Sequence, residues 1–319
     1  MIERLRPHPH RGDVIAAGAV PLALSAVIIE LRMAQWSLGP RFVVVALVGG
    51  LVLTMGWLAP LEFDGPRSYH TVLLVAGLLT LLPALVLLAE ILGSGRRPGS
   101  GAVAWILAAE AVPAASVALR ANSAVCMLIA ALAAVVAVEA FVAWAWGPES
   151  LGTFRALLLV LTVPLIAGAV RLRDRRRRHA VSLVNAAGLL ALVLGASFLL
   201  GTLVAATIQA PAGGRLPSAG GAAVGWELYR LAMSFGLVAY AGADREPGPA
   251  YLGTAVLIVF AALAGVPAIN RGALVGWPLF LFALGAVGLI VGLRPRRPLP
   301  PEPASGIAPT VSLDPKDTE

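Results

Sequence analysis

One cysteine and one lysine are all that this 319-residue sequence holds of those two reactive side chains, and each scarcity excludes a class of protein. Cys126 alone cannot close an intramolecular disulfide, so packing and not a redox framework must hold the fold. Lys316 lies in the C-terminal tail, which removes both a P-loop lysine and a Schiff-base lysine set among apolar residues. Histidine is scarce too: His8, His10, His70 and His179 all fall at or beyond the ends of apolar runs, so paired imidazoles clamping a haem across a bundle are not available. The HExxH, GxSxG, CxxC and Walker A patterns are missing. No cofactor, metal site or catalytic residue is expected. An enzyme acting on lipid-linked substrates at an outer face ranks last among the readings, because the longest outer loop, 209–221, carries no acid, histidine or aromatic residue.

Charge is the other deficit. Only 13% of residues are Asp, Glu, Lys or Arg, against about 25% in an ordinary soluble domain. What fills the space is apolar: 59% of the chain is hydrophobic and the mean hydropathy is +0.86. A water-soluble globule needs more polar surface than that. A hydrocarbon core of about 30 Å takes about 20 helical residues per crossing, and ten apolar segments meet or approach that length: 14–31, 42–61, 70–92, 102–119, 123–146, 153–171, 180–208, 222–243, 249–269 and 273–293. Lipid-exposed backbone must satisfy its own N–H and C=O groups, and no strand-like alternation is present, so the segments read as helices. The expected fold is an all-α integral membrane protein, a polytopic bundle of about ten transmembrane helices. Residues 1–13 form a basic N-terminus, 14–293 the bundle, and 294–319 a Pro- and acid-rich tail that cannot bury a core. The first segment stays apolar through Ile29 with no polar stretch after its small residues, so it reads as a retained span and not a cleaved leader.

Orientation follows from the basic residues. With the N-terminus inside, sixteen of the 24 Lys and Arg residues fall on the cytoplasmic side and seven on the outer side, while Arg230 lies within a span. The positive-inside rule then places both termini in the cytoplasm of a plasma-membrane protein. Short basic clusters between apolar runs account for the pI of 10.6 without any nucleic-acid partner. Under this topology Trp36, Trp105, Trp144, Trp146, Trp226 and Trp277 fall near the outer boundary and Trp57 near the inner one, where indole rings settle among headgroups. Gly188, Gly195 and Thr202, seven residues apart in the seventh segment, and Gly288 with Gly292 in the tenth, offer seams for close helix packing.

The informative residues are the charges stranded in apolar segments. Glu110 lies midway along the fourth segment, three residues before Pro113, whose ring denies the Ala109 carbonyl its usual partner. A carboxylate beside a freed carbonyl can take a proton, a small cation or a cationic solute. Glu139 lies in the fifth segment, Glu227 opens the eighth, and Glu30 and Glu90 sit toward outer span ends. Convergence of these acids would make an electronegative cavity. Arg230, three residues after Glu227 on nearly the same helix face, is expected to be neutralised by it, with Glu139 or another acid as the alternative partner, and is also suited to a phosphate or carboxylate. Ser197 in LGASFLLG reads as a hydroxyl bonding back to its own helix.

Two functions fit. One is a secondary transporter or permease for a small solute, with Glu110 and Glu139 as proton- or cation-coupling carboxylates and Glu227 and Arg230 completing the site. The other is a non-catalytic scaffold, assembly partner or sensor, its Arg175–Arg178 turn holding topology or anionic lipid.

Overall fold

The computed structural model describes residues 11–32, 35–60, 66–148, 150–209 and 224–271. Among them the chain is all-helical: α1 (Gly12–Arg32), α2 (Leu38–Leu58), α3 (Ser68–Ala89), α4 (Ser100–Ala121), α5 (Ala124–Trp146), α6 (Leu151–Leu172), α7 (Arg177–Gln209), α8 (Val224–Asp244) and α9 (Pro247–Arg271). The helices α1 to α7 are long and apolar enough to cross a membrane. Each of the first nine expected segments coincides with one helix, with ends agreeing to about one turn. The tenth segment, its Gly288 and Gly292, Trp277, the tail 294–319 and the loop 210–221 lie outside the described residues.

Local chemistry explains where helices stop. The turn between α4 and α5 is two residues long: Asn122 takes a left-handed conformation, φ 52°, as its N–H reaches back to the Ala118 carbonyl, and the Ser123 side chain then accepts from the Cys126 N–H. So short a connection forces α4 and α5 into an antiparallel hairpin. α3 ends differently, in a π-helical turn over Glu90–Ser94 that closes on Gly93 at φ 97°. Pro21, Pro83, Pro113 and Pro164 all lie inside continuous helices, as membrane helices tolerate when neighbours satisfy the freed backbone.

Small residues set the packing. Lipid tails are as apolar as leucine, so helices in a bilayer gain most by close backbone approach. Gly77 of α3 is one such case: a Cβ there would lie 2.8 Å from the Leu53 backbone of α2. In the seventh segment, Gly188 meets Leu237 and Leu252, and a side chain on Gly195 would strike Val259, so this seam faces α8 and α9. One core joins Leu74 and Leu78 of α3 to Ala114, Val117, Ala118 and Ala121 of α4 and Cys126 and Ala130 of α5. Another joins Ala169 of α6 to Ala180 and Val184 of α7 and Leu237 of α8. Leu47, Leu79, Val112, Val163, Val170 and Ile258 point outward, a surface suited to lipid tails and not to water.

Charged residues staple the helix ends. Arg41 of α2 meets both the carboxylate and the main-chain carbonyl of Glu30 on α1, its Nη2 lying 3.0 Å from Oε1. On the α6–α7 turn, Arg176 donates to the Leu119 carbonyl at 3.0 Å, filling one of the acceptors that the end of α4 leaves open. Arg177 donates to the Asp244 carbonyl at the end of α8, and Arg173 pairs with the Asp244 carboxylate at 2.7 Å. The basic turn therefore ties α4, α6, α7 and α8 together at one end of the bundle.

Candidate functional site

Glu110 occupies the inward stripe of α4, in register with Ala114, Val117 and Ala121. It is 4% exposed, and its Oε2 is buried without a hydrogen-bond partner. One turn on, Pro113 lines a cleft with Leu53, Thr54 and Trp57 of α2 and Ser116 and Val117 of α4. Glu139 is half-buried on α5, and both its carboxylate oxygens are shielded and unpartnered. A charged group at the centre of a membrane helix costs about 2.5–3.5 kcal/mol on the insertion scale. Among the described residues neither carboxyl has an ion-pair partner to offset that cost.

Two of the five acids are engaged by arginines. Glu30 is taken by Arg41, and Glu90 lies 4.0 Å from the exposed Arg96. Among the described residues no ion pair or hydrogen bond links Glu110, Glu139 and Arg230 to one another. Nor does Glu227 neutralise Arg230 by direct pairing. Glu227 sits in the first turn of α8, where the helix dipole already favours an acid, and it acts on Arg230 only from beyond ion-pair distance. Arg230 turns the other way. Its Nε donates to the Trp226 carbonyl at 3.1 Å and its guanidinium lies 5.2 Å from the centre of the Phe198 ring.

A second arginine reaches the same ring. Arg155, in the second turn of α6, lies with its guanidinium 3.7 Å from the centre of Phe198 and donates from Nε to the Ser197 hydroxyl at 3.0 Å and from Nη2 to the Ser197 carbonyl at 2.9 Å. Ser197 in turn donates to the Leu194 carbonyl, as expected of a hydroxyl on its own helix. Trp226 closes one side, its ring centre 5.7 Å from that of Phe198. Both arginines pack onto α7: Cβ atoms on Gly195 and Gly201 would stand in ordinary contact, 3.8 Å from Arg230 and Arg155 respectively. Arg230 is 1% exposed and its Nη1 has no partner.

Sequence reasoning treated Arg155 as an ordinary outer-side charge and missed this pairing. The available signal was its place one turn inside α6 with no acid on the same turn.

At the opposite end, the Tyr240 hydroxyl and the Arg173 guanidinium hold the Asp244 carboxyl below the usual carboxylate range, while Asp244 raises Arg173 in return. Among the described residues no group of three or more His, Cys, Asp or Glu is placed to hold a metal ion. Comparison with family models, with curated proteins and with solved structures gave no match for the chain.

Proposed function

We propose that the chain is a ten-span plasma-membrane protein with both termini in the cytoplasm, acting as a secondary transporter or permease for a small solute. Glu110 is its coupling carboxylate. The observation that carries this reading is Glu110 itself, buried at 4% exposure, one turn from a helix-internal proline, with Oε2 unpartnered. A stability role favours a paired or apolar residue there, since a buried acceptor without a partner costs about 1–3 kcal/mol. A site that must load and release a proton or cation has reason to keep it open.

Glu139 is a second loading position on the adjacent helix, and Arg230 and Glu227 sit on a separate element and bear on the solute or on balance of charge. The rival reading, a scaffold or sensor, draws support from the stapled Arg173–Arg177 turn, which favours a closed bundle at that end.

The test is flux. Purified protein is reconstituted in liposomes carrying an internal pH dye, and small amino acids, organic cations and organic acids are supplied with and without an imposed proton gradient. Gradient-driven uptake by the wild-type chain, lost in Glu110→Gln with membrane insertion intact, is the expected result. Equal gradient-driven uptake by the two proteins contradicts the role given to Glu110.

A further inference from the structure

We propose that Arg155 and Arg230, drawn onto Phe198 from α6 and α8, form a binding site for a phosphate group. The site does not depend on the transport reading. Two guanidiniums lie against one ring, no farther apart than their two distances from its centre laid end to end. Like charges repel at that range, and among the described residues no acid lies within ion-pair distance of either. Two features nevertheless hold them there: the Ser197 hydroxyl and carbonyl grip Arg155, and the Trp226 carbonyl grips Arg230.

The grip is also selective. Arg155 spends Nε and Nη2 on Ser197, while Arg230 spends Nε on its own helix and leaves Nη1 buried with nothing to donate to. A buried donor of this strength calls for an acceptor, and the planar fork of arginine matches the oxygens of a phosphate. Charge points to the same ligand. Two cations with no acid at pairing distance, Glu227 acting on Arg230 only from farther off, suit the roughly −1.5 to −2 charge of a phosphate monoester near neutral pH better than the single charge of a monocarboxylate. The phosphate group can belong to a small soluble ion or to the headgroup of a monoester lipid, and both present the same oxygens.

Thermal unfolding of the full-length protein in neutral detergent, at constant ionic strength, is followed as inorganic phosphate replaces chloride. In parallel, retention of phosphatidic acid against phosphatidylcholine is read by native mass spectrometry. Wild type is expected to be stabilised by phosphate, to retain phosphatidic acid, or both. Arg155→Gln and Arg230→Gln are each expected to weaken that binding at least about tenfold, the loss of one charge-assisted pair. Arg155 is only half-buried, so its variant keeps the test alive if Arg230→Gln does not fold. Phosphate stabilisation alone identifies a soluble ligand, and lipid retention alone identifies a headgroup. Binding of neither probe by wild type, or equal binding by wild type and the Arg155 variant, overturns the site.

Discussion

At the scale of single residues, charges paired with an opposite charge differ from charges without one, although Asp244 Oδ2 and Arg41 Nε in the paired set are also buried with no hydrogen-bond partner. Glu30 and Asp244 each have an arginine at 3.0 Å or less, and these pairs sit at helix ends. Glu110, Glu139 and Arg230 carry buried polar atoms with no partner, and they sit within helices. The depressed Asp244 carboxyl has a definite consequence for stability. Its folded value lies below its unfolded one, so its contribution is whole above the ordinary aspartate value of about 3.9 and is lost as pH falls through the depressed value. Unfolding midpoints measured against pH in detergent are expected to drop on the acid side for wild type, with a shallower drop in Asp244→Asn. Parallel acid limbs in the two proteins would show that the Arg173–Asp244 pair does not stabilise the fold.

The residue scale is also where sequence reasoning reached least far. Glu110 was legible because a lone acid in an apolar run beside proline stands out by composition alone. Arg155 was not, since its role comes from Phe198 and Ser197, forty-odd positions away on another helix and visible only once α6 and α7 are packed. The Glu227 and Arg230 pair failed for a related reason. Spacing of three places two side chains on one face, but Arg230 had a closer acceptor in Trp226 and an aromatic ring to turn toward.

At the scale of elements, helix identity and extent were legible, because about 20 apolar residues bounded by Gly, Pro, Ser and Arg leave a lipid-embedded backbone one solution. Partner choice was less so. The seam on Gly188 and Gly195 was visible as a seven-residue repeat, yet the repeat does not say that Leu252 and Val259 of α9 fill it. The α2–α3 contact at Gly77 carries no such repeat on its own helix. Gly77→Leu is expected to destabilise the bundle by about 1–3 kcal/mol through overpacking against Leu53, seen as a lowered unfolding temperature. Gly18→Leu, where a side chain meets open space, is the matched control and is expected to leave that temperature nearly unchanged. A Gly77 variant as stable as its control would mean that α2 and α3 do not approach as described.

At the scale of the whole molecule, the functional question reduces to whether water and protons reach the interior. Among the described residues seven helices are long and apolar enough to cross a bilayer, many outward side chains are apolar and arginines tie one end, so Glu110 is an acid buried among packed helices. A closed body makes that acid a structural fixture, and a body that opens makes it a working group. Carbodiimide labelling separates the two without knowledge of the solute, because a hydrophobic carbodiimide reacts with a protonated carboxyl it can reach from the membrane or the site. With the protein in liposomes and the products read by peptide mass spectrometry, the account predicts modification at Glu110 that falls as pH rises and is absent in Glu110→Gln. A Glu110 that stays unmodified at every pH, while Glu90 near the span end reacts, would contradict it.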